Sequence, residues 1–282
     1  MFAAKCPAKI NLFLKVVGIR NDGYRELESL FAFVNLFDVL RVEKSTKFSL
    51  QISGEFAHLL DVKNNLLTEI LDFFSREFGV EKNLKIYLEK NIPIGAGLGG
   101  GSSDAAYFMM ALNEIFALGL DKKNLQKISL NFGSDIAFFF EKTASLIRGR
   151  GEVIQPFPAF EPLNALLVNP KINLSTNQVF AKCENVFSEK ISDEKLLKSD
   201  ALKLIKDLPN DLMQPAIELA PMIAEILRKL KESGAEIAKM SGSGSTCFGI
   251  FANDLARKKA KENFKKTFPN FLVKEVKIFW KC

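Results

Sequence analysis

Pro93-Ile94-Gly95-Ala96-Gly97-Leu98-Gly99-Gly100-Gly101-Ser102-Ser103 is the stretch on which the reading of this chain turns. Five glycines fall between positions 95 and 101, and two serines follow. Without a Cβ, glycine lets the backbone approach a ligand and take positive φ. Successive amides can then converge on one anion. An apolar run from Asp104 through Ala105, Ala106, Phe108 and Met109 to Leu112 begins at once and predicts a buried helix that ends by Gly119. The loop therefore feeds a helix N-terminus, where unsatisfied N–H groups and the helix dipole favour negative charge. By physical chemistry alone this is a phosphate cradle. No Gly-Lys-Ser/Thr follows, so it is not a P-loop. Gly95, Gly97 and Gly100 fit a loose G-x-G-x-x-G, but the acidic residue that a dinucleotide fold needs about 20 positions later is not placed there. The competing reading is a flexible glycine linker, which would not run straight into a capped, buried helix.

Outward from the loop, strands and helices mix in irregular order, which argues α+β rather than doubly wound α/β. Ile10, Leu12, Leu14 and Val16 alternate as a strand. Asn64 or Asn65 can cap a helix running to Phe78, with Leu67, Ile70, Leu71 and Phe74 on one face and Gly79 as a left-handed stop. Further helices are expected near 123–131, 176–184, 194–206 and from Pro221, and strands near 84–88, 165–168, 247–251 and 271–279. Pro156, Pro158 and Pro162 mark a turn-rich stretch, and the boundary between an N-terminal domain, 1–157, and a C-terminal domain, 158–282, is expected there.

Composition narrows the chemistry. The chain has 282 residues, 48% hydrophobic and 26% charged, an ordinary globular balance that needs no metal or disulfide support. Net charge is +6, which suits an anionic ligand without requiring one. The densest basic group, Arg257 to Lys266, lies on an expected helix with a solvated face; no aromatic residues interleave it as nucleic-acid binding would want. Cys6, Cys183, Cys247 and Cys282 are too scattered for a zinc site or a disulfide framework, and a reducing cytoplasm is the simplest setting. No apolar run predicts a membrane span. The only histidine, His58, stands in GEFAHLLDVKNN, away from any nucleophile motif, and reads as a surface or loop residue. Catalysis must therefore rest on carboxylates, lysines, hydroxyls and backbone amides.

The segment Pro93 to Ala106 resembles the ATP loop of the galactokinase, homoserine, mevalonate and phosphomevalonate (GHMP) kinase superfamily. Pro7-Ala8-Lys9-Ile10-Asn11-Leu12 resembles its N-terminal motif, and Met240-Ser241-Gly242-Ser243-Gly244-Ser245-Thr246-Cys247 its C-terminal glycine motif. Arg20-Asn21-Asp22-Gly23-Tyr24, Gly133-Ser134-Asp135-Ile136 and Asn210-Asp211-Leu212 are most similar to the branch that phosphorylates 4-diphosphocytidyl-2-C-methyl-D-erythritol. The resemblance implies a two-domain GHMP-kinase-like fold with the active site in the cleft between domains. It also implies ATP with Mg²⁺, and a small cytidylyl substrate rather than nucleic acid or membrane. Rival readings are another kinase of the superfamily acting on mevalonate, homoserine or a sugar, and a non-catalytic nucleotide-binding protein on the same fold.

The resemblance also assigns roles. Asp135 reads from the residues alone as a helix cap or a catalytic carboxylate; the resemblance makes it the base that takes the substrate hydroxyl's proton. Lys9 reads alone as a snorkelling lysine; the resemblance puts its ammonium beside Asp135, and Asn11 on the same side of the strand. Tyr24 and Phe180 are implied to flank cytosine, with Thr176 also on the substrate side. Arg25 stands where the family usually has histidine, and its planar guanidinium can stack and donate but cannot accept. The loop from Pro93 to Ser103 is implied to bind ATP, with Asn65 and Lys90 near adenine. Their bland alternatives are a helix cap and a surface charge. No protein ligands for magnesium are evident beyond the hydroxyl of Ser103.

Overall fold

The computed structural model describes residues 1–62, 65–183 and 187–282. In chain order the elements are β1 (Phe2–Ile19), β2 (Arg25–Lys44), β3 (Ser49–Ser53), α1 (Leu66–Phe78), β4 (Leu84–Glu89), α2 (Gly100–Ile115), α3 (Lys122–Ser129), β5 (Ser145–Gly149), β6 (Val153–Pro156), β7 (Leu163–Asn169), α4 (Thr176–Lys182), α5 (Asp193–Lys198), α6 (Ala201–Asp207), α7 (Met213–Leu219), α8 (Met222–Glu232), β8 (Ile237–Met240), β9 (Cys247–Ile250), α9 (Asp254–Thr267) and β10 (Leu272–Phe279). Short 3-10 turns cover Ala57–Leu59 and Ile136–Phe140. The fold is α+β, as the irregular order predicts. No helix among the described residues is long and apolar enough to cross a membrane.

Two compact units form from segments that alternate along the chain: 1–8, 36–94 and 99–142 make the first, and 9–35, 95–98 and 143–282 the second. Strands β1 and β2 run through both. The proline-rich stretch from Pro156 to Pro162 links β6 to β7.

In the first unit, Val39–Lys44 of β2 pairs antiparallel with β4, and β4 pairs parallel with β3. Helix α1 follows the sequence reading. Asn65 accepts a hydrogen bond from Leu67 N at 3.0 Å, Leu67, Ile70, Leu71 and Phe74 are buried, and Gly79 closes the helix at φ 67°. The alternative cap, Asn64, lies outside the described residues. Helix α2 is buried on most sides, as its apolar run requires, but it begins at Gly100 rather than Asp104. Gly99 takes the left-handed conformation, φ 65°, and turns the chain directly into the helix. Gly100, Gly101, Ser102 and Ser103 thus form the first turn. His58 is exposed on its 3-10 turn, as expected.

In the second unit, Leu27–Phe31 of β2 pairs with β5, β5 with β6, and β2 meets β10 at Val34–Ile278. Beyond β10 the antiparallel order continues through β7 and β9 to β8. Leu166, Val168, Val179, Leu212, Ile223 and Phe264 belong to one buried cluster beneath these strands and their helices. The helix expected over 194–206 is two helices, because Asp200 caps α6 by accepting from Lys203 N at 3.1 Å.

Candidate active site

Three sequence blocks, distant along the chain, meet in the second unit. Lys9 N donates to Leu98 O at 2.9 Å and Thr246 N to Ala96 O at 3.3 Å. Ser241 Oγ donates to Gly97 O at 2.8 Å and accepts from Asn11 N at 3.1 Å. Glycine is required at position 97: φ is 74°, and a Cβ would stand 2.2 Å from the Ser241 carbonyl oxygen. The N-terminal motif and the C-terminal glycine motif thereby grip residues 96–98 by their backbone. Asn210 Nδ2 holds the C-terminal motif in turn, donating to Met240 O at 2.8 Å and Gly242 O at 2.9 Å.

Lys9 does not snorkel. Its side chain is buried, its ammonium donates to Asn11 Oδ1 at 2.7 Å, and it lies 4.4 Å from the centre of the Phe31 ring. A buried ammonium needs such polar and π partners to offset lost hydration. Asn11 passes the chain on by donating from Nδ2 to Ser29 Oγ at 3.0 Å, and Ser29 Oγ donates to Phe13 O at 2.5 Å. Both candidate residues are therefore fixed in orientation before any ligand binds.

The first unit carries the helix end of the loop. Ser103 N makes the first helical bond of α2, to Gly99 O at 2.9 Å. The amides of Gly100, Gly101 and Ser102 precede it and have no intrahelical acceptor, so they are available to an anion. Ser103 Oγ is fully buried and has no hydrogen-bond partner. At Gly101 a Cβ would meet nothing within 4 Å, and φ is not positive. The fold itself does not ask for glycine at that position.

Lys90 is not a surface charge. It is 2% exposed, and its ammonium donates to Asp104 Oδ2 at 2.6 Å and to Asp38 Oδ2. Asn65 is occupied as the cap of α1 and donates to Asp61 O at 3.4 Å. Asp135 stands half-buried before the 3-10 turn and makes no capping hydrogen bond to it. Asp135 nonetheless occupies the N-cap position of that turn. Pro93 is buried and Ile94 partly exposed where the chain enters the loop.

The implied substrate-side residues are all in the second unit. Thr176 Oγ1 lies 3.0 Å from Ser243 Oγ, which ties the start of α4 to the C-terminal glycine motif. Phe180, later on α4, is half-buried and packs against the unit's core cluster. Arg25 Nη2 donates to Cys183 O at 3.1 Å, at the end of α4, and its guanidinium is 5.9 Å from the Phe187 ring. Tyr24 is 57% exposed on a turn shaped by Asp22, with the Arg150 guanidinium 5.2 Å from its ring. Thus α4 gathers Thr176, Phe180 and the hold of Arg25, while Tyr24 stands at the surface.

Sequence reasoning missed Asp38, Asp104, Ser241 and Asn210 as individual contributors. Asp38 carried a faint signal, a carboxylate between Phe37 and Val39-Leu40. Nothing in the local sequence paired it with Lys90.

This arrangement, a glycine-rich loop running into a buried helix and supported by two distant motifs, defines a GHMP-class kinase. The GHMP kinases N terminal domain matches residues 65–142, and the GHMP kinases C terminal domain matches residues 194–270. A 4-diphosphocytidyl-2-C-methyl-D-erythritol kinase of Syntrophomonas wolfei is 35% identical over 269 residues, 94% of each chain. A protein of the same name from Wolbachia of Drosophila simulans is 36% identical over 98% of each chain. A crystal structure of 4-(cytidine 5'-diphospho)-2C-methyl-D-erythritol kinase superimposes with a TM-score of 0.81 at 30% identity, covering 99% of both chains. A crystal structure of L. major mevalonate kinase shares the fold, with a TM-score of 0.73 at 18% identity. The chain belongs to the family of 4-diphosphocytidyl-2-C-methyl-D-erythritol kinases. It is an ATP-dependent small-molecule kinase.

Proposed function

We propose that the chain transfers the γ-phosphoryl group of ATP to the 2-hydroxyl of 4-diphosphocytidyl-2-C-methyl-D-erythritol, a step of non-mevalonate isoprenoid biosynthesis. The observation that carries the phosphate side of this reading is the first turn of α2. It combines amides without helical acceptors, open space above Gly101 and a buried hydroxyl on Ser103 that lacks a partner. A buried hydroxyl with no acceptor or donor costs roughly 1–3 kcal/mol. A phosphate oxygen or a hydrated cation arriving with the nucleotide removes that cost. Pro93 to Ser103 form the phosphate-binding stretch in this reading, with Asn65 and Lys90 on the nucleotide side.

Magnesium fits this donor set. Among the described residues no cluster of three or more His, Cys, Asp or Glu side chains could cage a metal, whereas Ser103 offers one unoccupied hard oxygen donor, which suits an ion held mainly by phosphates and water. When bound, magnesium supplies charge neutralisation at the β and γ phosphates.

Asp135 is the base in this account and accepts the proton of the attacking hydroxyl. Lys9 supplies fixed positive charge to the developing transition state, and its bond to Asn11 holds it in one orientation. Tyr24, Arg25, Thr176 and Phe180 form the cytidylyl side, with α4 as its wall. The Asp135→Asn variant tests the assignment. It should lose on the order of 10²-fold or more in kcat while the Kd for ATP stays within twofold. Near wild-type kcat in that variant removes Asp135 as the base.

A further inference from the structure

Lys90, Asp38 and Asp104 are each nearly or fully buried, and they join three segments that flank the phosphate loop. Lys90 is the first residue after β4. Asp104 lies in the second turn of α2. Asp38, on β2, accepts from Asn91 N at 2.5 Å and Ile92 N at 2.8 Å, the last two amides before Pro93. Helix α2 begins directly against this cluster: a Cβ at Gly100 would stand 3.0 Å from Lys90 Nζ and 2.8 Å from Ile92 Cγ2. We infer that Lys90, held between Asp38 and Asp104, is a positioning residue that fixes both ends of the phosphate loop before nucleotide binds. This inference rests on reading that loop as the phosphate cradle. It gives Lys90 a role different from a contact to adenine.

Two of the three ammonium donors are spent on carboxylates, and the side chain is closed off from solvent. Two carboxylates and one ammonium leave one surplus negative charge in a buried place. Asp104 Oδ1 has no hydrogen-bond partner and is the natural seat of a proton. Burial pushes the Asp104 carboxyl up to about 7, with Lys90 opposing and Asp38 adding. Burial works against the Lys90 ammonium, but Asp104 and Asp38 outweigh it and raise its pKa, so it stays charged. Cys6, the other titratable group facing the cluster, is raised chiefly by burial and keeps its proton. Removing Lys90 would leave two carboxylates facing each other beneath the loop, and the cluster would open. Removing Asp104 as well would relieve that repulsion.

The test measures Kd for ATP and for inorganic tripolyphosphate by calorimetry on the full chain, so it does not depend on the phosphoryl acceptor. Lys90→Met should weaken both ligands by the same factor, on the order of 10-fold or more. The double variant Lys90→Met with Asp104→Asn should recover most of that loss for both. If Lys90→Met does not fold, Asp38→Asn serves in its place, because it loosens the hold on Asn91 and Ile92 and should weaken tripolyphosphate as much as ATP. In each folded variant the Kd for the cytidylyl alcohol should stay within twofold, which a general loss of structure would not allow. A Lys90→Met protein that loses ATP but keeps tripolyphosphate is an adenine contact and overturns the inference. So does a double variant no better than the single, or a wild-type loop that fails to bind tripolyphosphate.

Discussion

Gly101→Ala separates what the fold needs from what the ligand needs. Gly101 is the second residue of α2, is exposed, has no positive φ, and a Cβ there would touch nothing within 4 Å. Alanine is favoured over glycine in a helix by up to about 1 kcal/mol, and by less in the first turn. The variant should therefore be slightly more stable, by about 0.5 kcal/mol, or roughly 1–2 °C in Tm for a chain of this size. Nucleotide should feel the opposite effect. The added methyl occupies the space from which a phosphate oxygen would accept a first-turn amide. Loss of one hydrogen bond to a charged group costs roughly 1.5–3 kcal/mol. That corresponds to a rise in KM for ATP of about 10- to 150-fold. Thermal unfolding without ligand and steady-state kinetics at saturating acceptor read the two effects on one preparation. A variant with raised Tm and KM for ATP within twofold of wild type would refute the placement of phosphate over the first turn of α2.

Three further outcomes follow from the geometry. Gly97→Ala should lower Tm and raise KM for ATP together, since its Cβ would stand 2.2 Å from Ser241 O at a φ of 74°; differential scanning fluorimetry that finds an unchanged Tm removes the strain argument. Arg25→Ala should raise KM for the cytidylyl acceptor about 5- to 150-fold while KM for ATP stays constant, because its hydrogen bond to Cys183 O fastens the end of α4; Arg25→Lys should recover little, since lysine lacks the planar fork. Burial lowers the Lys239 ammonium to about 8 from an unfolded value of 10.5, with Asp207 opposing and Lys231 adding. The unfolded chain then binds more protons between about pH 8 and 10.5, so wild type should gain stability relative to Lys239→Met as pH rises through that window. Urea unfolding at about pH 7.5 and about pH 9.5 measures the difference, and a constant difference contradicts it.

What could be read from the sequence was local. The glycine spacing of the loop, the Asn65 and Gly79 ends of α1 and the apolar run of α2 each depend on neighbours within a few residues. The sequence pattern starts α2 too late because glycines and serines are poor helix formers, and the left-handed turn at Gly99 leads them into the helix. Strands β5, β6 and β8, of five, four and four residues, are too short for an alternation to stand out. The fate of Lys90 was hidden for another reason. Its partners lie 52 and 14 residues away, so Lys90 reads alone as a surface charge. The same holds for Ser241, whose partners Asn11 and Gly97 lie 230 and 144 residues distant. Arg25 was recognisable as a departure from the family pattern, but its acceptor, a backbone carbonyl 158 residues away, was not.

Phosphoryl transfer itself is the most direct test of the central claim. Purified protein with ATP and magnesium should convert 4-diphosphocytidyl-2-C-methyl-D-erythritol to its 2-phosphate, seen by phosphorus NMR as a new phosphomonoester resonance formed in step with ADP. Mevalonate, homoserine and galactose should yield no such product under the same conditions. Turnover of one of those alcohols in place of the cytidylyl substrate, or ATP binding with no transfer to any of them, would contradict the account.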